Sequence, residues 1–332
     1  MREFISTAEM PNEVFARIRR RGIGGTDAAA ILGLSEWKSA IQVYIEKTKQ
    51  EPPKDLSQNE LVEWGRRLEK VVAEKYAECH PQENVCETMT MYLHDDYDFI
   101  IANFDRLIYD KDNTLRAVLE CKTTNAFTGK KMWGTEDNPK IPVHYQYQGY
   151  HYMAVSDVGY VVYAILIGGN HYIERILYRD EKKIKELIDA EIEFWGRVQN
   201  LEPPIVDGSS ASAQYIRENY NEVEPDKVVK LRSEHLGLLI EIDKLTEQYK
   251  MLGKEIDAKK NQIKVFMDKA EFGETKGAFV KFKQYSGRLK FDSKRFKTEH
   301  PELAEKYYAE GKSYRKFEYE LDYEYLTEIG AI

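Results

Sequence analysis

The chain has 332 residues, 42% of them hydrophobic and 12% aromatic, which excludes a disordered protein and provides for one large domain or two ordinary ones. Its 49 basic and 57 acidic residues give a net charge of −8, which excludes a uniformly basic protein of the histone type. An acidic protein can still bind nucleic acid where its positive charge is locally concentrated.

The three cysteines, Cys79, Cys86 and Cys121, form no CxxC pair and cannot all be bridged to one another. This usage is typical of a reducing cytosol and argues against zinc or iron–sulfur sites of the usual spacing. The N-terminal residues lack a continuous apolar segment of the signal-peptide type, and no apolar run is long enough to span a membrane. We therefore expect a cytoplasmic protein without a membrane span.

The first predicted elements are two helices. The alanine-rich run predicts a short helix over residues 27–33, with Thr26 or Asp27 capping its start and Gly33 ending it. Apolar residues at helical spacing predict a longer helix over residues 60–78. Its stripe consists of Leu61, Trp64, Leu68, Val71, Val72 and Tyr76.

The pattern then changes to strands rich in β-branched, aliphatic and aromatic residues. Residues 99–109 and 115–123 predict two strands, and the Asp-Lys-Asp-Asn segment at 110–113 predicts the hairpin turn between them. Helices flanking a mixed sheet define an α/β domain. The later elements of this domain are predicted as the helix 142–155, the strand 160–167, an edge strand around 172–175 and the helix 181–199.

A stretch rich in Pro, Gly, Ser and Asn, beginning at Glu202, separates this region from the rest of the chain. We therefore divide the chain into a core (residues 1–205), a linker (206–225) and a C-terminal extension (226–332). The extension begins with a heptad pattern, which predicts a long helix packing against a partner helix. The seam residues are Leu238, Ile242, Leu245, Tyr249, Leu252, Ile256 and Ile263.

The chemistry is concentrated on the two strands of the predicted hairpin. Glu120 and Lys122 share one face of a strand, whereas Cys121 points to the opposite face, into the core. If the hairpin brings Asp105 to the same end, two carboxylates and an ammonium group converge. Carboxylates of this kind suit Mg²⁺ or Mn²⁺, which activates water and polarises a phosphate, with the lysine orienting or deprotonating that water. The alternative is an ordinary Glu-x-Lys pair, which is common in a chain with 32% charged residues.

A second feature is the arginine run 19–21 followed by a glycine-rich turn and Thr26. Backbone N–H groups of such a turn, leading into a helix, favour an anion. A capped helix after a solvated basic run explains the same residues equally well. We expect Trp37, shortly after this helix, to lie in the core rather than to stack on bases.

Four sequence blocks in order resemble the YqaJ-like viral recombinase family, relatives of phage lambda exonuclease within the PD-(D/E)xK nuclease superfamily. The resemblance covers roughly residues 15–170. The blocks are RRGIGGTDAAAILGLSEWKS (20–39), WGRRLE (64–69), ANFDRL (102–107) with LECKT (119–123), and QGYHYMAV (148–155). The resemblance implies a restriction-endonuclease-like PD-(D/E)xK core with a mixed central sheet flanked by helices. The heptad helix and a β-hairpin form an extension beyond it.

The same resemblance implies residue roles. Asp105 and Glu120 are the metal-binding carboxylates, with the backbone carbonyl of Cys121, and Lys122 is the catalytic lysine. Further catalytic residues implied are Glu69, an additional acid that assists a metal, and Gln148, which completes the site from the following helix. The residues implied near the 5′-phosphate of a DNA end are Arg19, Arg20, Arg21 and Thr26, with Thr26 at the usual serine position.

The sequence departs from the family pattern where Phe104 stands in place of the proline that usually precedes the first aspartate. This leaves the carboxylate itself unchanged.

The tail from Gly277 alternates like a hairpin and precedes a short helix predicted at 301–308. Between residues 276 and 297 it carries eight basic residues and a single acid, with aromatic residues interleaved. Such a segment suits DNA backbone neutralisation and base stacking. The pattern slightly favours the alternative, an amphipathic hairpin with its aromatics inside and its lysines solvated. The candidate DNA-binding residues are Lys281, Lys283, Arg288, Lys290, Lys294 and Arg295.

The resemblance implies a Mg²⁺-dependent exonuclease that resects double-stranded DNA ends from 5′ to 3′, leaving 3′ single strands for recombination by single-strand annealing. Its expected partners are DNA ends, an annealing recombinase of the RecT or Red-beta type, and further copies of itself, as in a trimeric ring. A phage or prophage origin in a bacterial cytoplasm follows from the family. The alternatives are a structure-specific DNA endonuclease and a non-catalytic DNA-end-binding scaffold. The sequence has no Walker A loop, so nothing indicates that the protein consumes ATP.

Overall fold

The computed structural model describes residues 1–48, 59–287, 289–307 and 314–331. The chain forms two compact units, Met1–Tyr220 and Asn221–Ile332. The strands are β1 (Arg2–Ser6), β2 (Ile23–Gly24), β3 (Asn84–Glu87), β4 (Thr90–Leu93), β5 (Ile100–Ala102), β6 (Arg106–Tyr109), β7 (Leu115–Thr124), β8 (Tyr160–Ile167), β9 (His171–Tyr178), β10 (Phe272–Thr275) and β11 (Ala278–Lys281). The helices are α1 (Asn12–Arg19), α2 (Gly25–Ile31), α3 (Ala40–Thr48), α4 (Glu60–Cys79), α5 (Ala126–Trp133), α6 (Val143–Ser156), α7 (Glu181–Asn200), α8 (Ser210–Asn219), α9 (Ser233–Met267), α10 (Ser293–Glu299), α11 (Pro301–Tyr307) and α12 (Tyr323–Glu328).

The first unit contains two mixed sheets. The larger has the strand order β3-β6-β7-β8-β9, antiparallel except for the parallel pair β7–β8. The smaller has the order β1-β4-β5-β2, with β2 parallel to β5. The connection from β7 to β8 runs through α5 and α6, as a parallel pair requires a crossover. The predicted α/β class, with a mixed sheet flanked by helices, is confirmed.

Helices cover both faces of the larger sheet. On one face, Val72, Ala73 and Tyr76 of α4 pack with alternate residues of β7 and β8. On the other face, α6 packs Tyr152 and Met153 into the main core. Because both faces are covered, β8 reads as a continuous apolar run rather than an alternating one.

A buried ion pair fastens α6 to its neighbours. His151 Nδ1 lies 2.7 Å from Glu191 Oε1 of α7, and His151 Nε2 lies 2.8 Å from the carbonyl oxygen of Ile101 in β5. Both ring nitrogens therefore face acceptors, which favours the protonated imidazolium. Burial alone would lower the pKa of His151, but the Glu191 carboxylate raises it above its ordinary value.

The predicted strand over 99–109 is wrong in one respect, because it is broken. β5 belongs to the smaller sheet and β6 to the larger, so the backbone leaves one sheet and joins the other at residues 103–105. The hairpin turn that follows β6 forms as predicted. Asp110 Oδ1 accepts the N–H groups of Asp112 and Thr114 there, and Asn113 has a positive φ of 60°.

The short helix α2 begins two residues earlier than predicted. Gly24 rather than Thr26 or Asp27 occupies the N-cap position. Asp27 lies inside the first turn and accepts the Gly24 N–H at 3.2 Å, so its side chain satisfies the helix start from within. Gly33 ends the helix with φ of +68°, as predicted.

The segment 206–225 contains α8, which belongs to the first unit and has buried Ala211. In the second unit the predicted heptad helix is α9, of 35 residues. The tail hairpin, β10–β11, turns at Gly277, with φ of +94°. No helix in the described ranges is long and apolar enough to cross a bilayer.

Candidate active site

The predicted acidic residues meet where β6 pairs with β7. Asp105 lies directly before β6, and its Oδ2 accepts the backbone N–H of Cys121 at 2.8 Å. Glu120 is buried in β7, and its Oε1 accepts a hydrogen bond from Lys122 Nζ at 2.7 Å. The hairpin thus brings two carboxylates and an ammonium group together.

Alternation along β7 decides which side chains reach the site. Cys121 packs into the cluster beneath α4, while Glu120 and Lys122 face α6 on the other side of the sheet. A one-residue change of register would exchange these faces, so the pairing of β7 with its neighbours fixes the site.

Helix α6 supplies Gln148, which is buried beside Glu120. Its Nε2 donates to Glu120 Oε1 at 2.6 Å and to the Tyr152 hydroxyl at 2.9 Å. Burial, with the negative charges of Glu120 and Asp105, raises the pKa of Tyr152, so its hydroxyl stays protonated. Sequence reasoning missed Tyr152, although its i, i+4 spacing from Gln148 places both on one helix face.

A second residue of α6 that sequence reasoning missed is Tyr145. Lys122 Nζ lies 4.6 Å from the centre of its ring, a cation–π geometry. The lysine is thus held between Glu120 and an aromatic face. Burial opposes its charge, yet the Glu120 carboxylate, Tyr145 and Asp105 raise the pKa of Lys122, which keeps its ammonium group protonated.

Glu69 of α4 lies beside the cluster but has a partner of its own. Arg106 Nη1 donates to Glu69 Oε1 at 2.9 Å and also to the carbonyl oxygen of Asp105. Arg106 is buried and was not identified from the sequence, although it directly follows Asp105. Arg106 therefore holds the Glu69 side chain next to Asp105.

The cluster has more negative charge than its buried cations neutralise. Burial, followed by the charges of Glu120 and Glu69, raises the pKa of Asp105 well above its usual value. Glu120 Oε2 is buried and has no hydrogen-bond partner. An orphaned carboxylate oxygen next to a second carboxylate fits a divalent cation. No three carboxylate, imidazole or thiol groups of the described residues form a cluster that could hold a metal ion by themselves.

The predicted phosphate-binding residues are brought together only in part. Arg19 Nη2 donates to Thr26 Oγ1 at 2.9 Å, beside the Gly24–Gly25 turn. A Cβ on Gly25 would lie 2.7 Å from Tyr152 Cε1 and 3.3 Å from Gln148 Cγ, so this turn packs directly on the active-site helix. Arg21 instead lines a separate cavity of about 370 Å³ with Ile18 and Trp195, away from Thr26. Arg20 is half-buried on α1's C-terminal side.

Comparison with known proteins shows which family the chain resembles. The profile of the YqaJ-like viral recombinase domain matches residues 14–159. Protein YqaJ of Bacillus subtilis (strain 168), described as uncharacterized, is 35% identical over 303 residues, covering 90% of this chain and 91% of the relative. The chain belongs to the YqaJ-like viral recombinase family.

Two solved structures are similar to part of this family member. An alkaline exonuclease from Laribacter hongkongensis is 17% identical and has a TM-score of 0.47 over 57% of this chain and 94% of its own. A phage-related exonuclease from Haemophilus somnus 129PT is 13% identical and has a TM-score of 0.40 over 56% of this chain and 98% of its own.

This YqaJ-like protein holds its Arg19–Thr26 turn on a buried ion network. Asp27 accepts from Lys38 Nζ and pairs with Lys47 Nζ, each at 2.8 Å, and Lys47 also donates to the Arg19 carbonyl oxygen at 3.1 Å. Burial would raise the pKa of Asp27, but Lys38, Lys47 and Arg19 lower it well below its usual value. The sequence identified Asp27 only as a cap, because the lysines reach it from another helix and a loop.

A wide cleft of about 1100 Å³ runs beside Tyr145 in the first unit of this YqaJ-like protein. Its wall includes Trp37, Trp64 and Leu61. The prediction that Trp37 lies in the core is wrong, because this side chain is 72% exposed. The N-terminal half of the predicted α4 stripe also lines the cleft instead of the core, since only the later turns of α4 contact the sheet.

The basic tail lies in the second unit of this family member. The predicted alternative with aromatics inside is wrong, since Phe279, Phe282, Tyr285 and Phe291 are exposed. Lys281 Nζ lies at a cation–π distance from the ring of Phe279, and Lys283 Nζ lies 4.6 Å from the ring centre of Phe272. Arg295 pairs with Glu299 in α10, whose first turn contains Lys294, and Lys290 lies before that helix. Arg288 lies outside the described residues.

Proposed function

We propose that this protein is a Mg²⁺-dependent exonuclease that degrades one strand of double-stranded DNA from its 5′ end and leaves a 3′ single strand for annealing. The observation that carries the proposal is the arrangement of Asp105, Glu120, Lys122 and Gln148, with one buried carboxylate oxygen left without a partner. Family membership in the viral recombinases supports it.

Asp105 and Glu120 would hold the metal, with the Cys121 backbone carbonyl as a further ligand. Mg²⁺ commonly uses one or two carboxylates together with waters and substrate phosphate, and Mn²⁺ accepts the same oxygen ligands. When bound, the ion supplies a water of lowered pKa and polarises the scissile phosphate.

The side chains of the chain itself orient the reacting groups and balance their charge. Lys122, held protonated beside Glu120, places a positive charge where negative charge develops on the phosphate. Its raised pKa favours this role over accepting a proton while Glu120 is ionised. Gln148 fixes the Glu120 carboxylate, and Arg106 holds Glu69 next to Asp105.

Recognition of the DNA end is assigned to the turn around Thr26. Arg19 offers a guanidinium and Thr26 a hydroxyl, both partly open to solvent and packed on the active-site helix through Gly25. A guanidinium with a neighbouring hydroxyl suits a terminal phosphate. The resemblance supports the 5′ polarity, and the exposed aromatic cleft offers surface for bases near the end.

The proposed setting is the cytoplasm of a bacterial host carrying a phage or prophage. There the enzyme would supply 3′ single strands to an annealing recombinase of the RecT or Red-beta type. The basic, aromatic tail of the second unit is a candidate contact for single-stranded DNA, because its rings and lysines are solvent-accessible together.

The test is digestion of linear double-stranded DNA labelled at its 5′ or 3′ end, with Mg²⁺ or with EDTA. We expect metal-dependent release of the 5′ label by the wild type and by Lys111→Ala, whose lysine lies in the exposed turn before β7. Lys122→Ala should release none above background, although it still binds DNA.

Two results would contradict the proposal. Cutting of closed circular DNA would indicate a structure-specific endonuclease with the same site. Binding of DNA ends without cleavage in Mg²⁺ or Mn²⁺ would indicate an end-binding scaffold.

A further inference from the structure

Helix α9 carries an apolar seam that the described part of its own unit leaves open. In heptad notation the a positions include Ile242, Ile256 and Ile263, and the d positions include Leu238, Leu245 and Leu252. Their exposures lie between 38% and 57%. In proteins most of the stability of a helix comes from packing its apolar face rather than from helix propensity.

The same unit does use a different face of α9. Leu236, Ile240 and Asp243, at positions b and f, are half-buried. The Tyr323 hydroxyl at the start of α12 donates to Asp243 Oδ2 at 2.9 Å, and Leu326 of α12 is buried. The described residues of the second unit therefore cover one side of the helix and leave the heptad seam exposed.

We propose that a second copy of this chain covers the seam, and that the two α9 helices form a parallel, in-register, two-stranded coiled coil. The seam is self-complementary, as a two-fold interface requires. Isoleucine at a combined with leucine at d is the pattern that favours two parallel strands.

The flanking charges agree with the parallel orientation. Glu255 occupies a g position and Lys260 the following e position, the pair that meets between two parallel helices. Within one helix Lys260 lies 3.5 Å from Asp257 instead. The symmetric dimer would contain this attractive pair twice.

Two seam positions depart from an aliphatic pattern, Tyr249 at a and Lys259 at d. In register, Lys259 meets its own copy, and its aliphatic stem can cover the seam while the ammonium group reaches water. A single polar seam residue lowers stability but selects register and strand number. Between residues 238 and 263 the seam spans about 38 Å at 1.5 Å per residue.

The first experiment measures the mass of the full-length protein by sedimentation equilibrium over a concentration series. The seam variant is Leu245→Glu with Leu252→Glu. The matched control is Met251→Glu with Val265→Glu, which alters exposed apolar residues of the same helix at c positions. Thermal unfolding of each variant shows whether the first unit remains folded.

We expect the seam variant to have half the mass of the wild type, and the control to retain the wild-type mass. A monomeric wild type would overturn the proposal and leave the seam to a different protein. An assembly whose mass is unchanged in the seam variant would overturn it too, because its contacts would lie elsewhere, as in a ring formed by the first unit.

A cysteine pair tests orientation and register. Leu238→Cys, at a d position near the start of α9, and Lys244→Cys, at an exposed c position, are each introduced with Cys79→Ser, because Cys79 is an exposed native thiol. Oxidation with copper(II)–phenanthroline in air should link Leu238→Cys into a covalent dimer at least ten times faster than Lys244→Cys, because residue 238 faces its own copy only in a parallel, in-register pair. Equal rates would overturn the in-register parallel arrangement, even if the protein is dimeric.

Discussion

Replacing Gln148 by methionine tests how the active-site carboxylate is positioned. The change Gln148→Met keeps the length of the side chain but removes both hydrogen bonds of its amide, at 2.6 Å to Glu120 and 2.9 Å to Tyr152. A hydrogen bond to a charged group contributes about 1.5–3 kcal/mol and a neutral one about 0.5–1.5 kcal/mol. The apolar methionine recovers roughly 1 kcal/mol by burial.

The expected net loss of stability is therefore about 2 kcal/mol, or a melting temperature lower by roughly 4–8 °C for a unit of this size. Activity should fall further than stability requires, by about 10- to 100-fold in kcat, because Glu120 loses a group that orients it. The measurement is exonuclease kcat on saturating linear DNA, at a temperature where thermal unfolding shows the variant to be folded.

The control is Gln146→Met on the same helix. Gln146 Nε2 donates to the Ile141 carbonyl oxygen at 2.7 Å and does not contact the carboxylate cluster. This variant should lose about 1 kcal/mol and keep its kcat within twofold. If Gln148→Met lowers kcat no more than Gln146→Met does, the positioning role of Gln148 is refuted.

Four further predictions concern separate residues. Arg19→Met should raise KM about tenfold for 5′-phosphorylated ends and leave 5′-hydroxyl ends unchanged, as end-specific kinetics would show. Mg²⁺ at ten times its Kd should stabilise the wild type by about 1.4 kcal/mol, and calorimetry should detect no such gain in Glu120→Gln. Trp37→Ala should leave the melting temperature unchanged, because the ring is exposed, and weaken DNA binding about tenfold in anisotropy at fixed salt. The raised pKa of His151 implies that its protonated form stabilises the fold, fully below about pH 6.5 and progressively less as pH rises through the folded-state pKa. The melting temperature of the wild type should therefore exceed that of His151→Gln at low pH, and this difference should shrink as pH rises.

The sequence by itself determined the elements whose signal is local and periodic. The helix α4, the strand β8 and the heptad helix α9 were all predicted, because the spacing of apolar residues follows the period of the helix or strand that carries them. The sequence also predicted that Glu120 and Lys122 share a face, because side chains alternate between the two faces along a strand. The other residues of the candidate site were predicted from the resemblance to a family, which rests on four motifs in order. The spacing of residues alone would not have identified them.

Tertiary structure decided what depends on distant parts of the chain. The break of the predicted strand before Asp105 arises because its two halves pair in different sheets, and no local propensity encodes a change of partner. Several contacts join separate elements: Arg106 with Glu69, Tyr145 with Lys122, and the lysines with Asp27. Charged residues are common in this sequence, so their presence alone does not reveal these pairs.

The exposed Trp37 shows the same limit for apolar residues. A large aromatic residue is predicted to lie in the core, because large apolar side chains are usually buried. Only the packing of α4 and α6 around the sheet leaves a cleft there, with the tryptophan on its wall. Sequence thus predicted which residues form the candidate site, while the fold decided which surfaces stay exposed, because exposure depends on how every element packs.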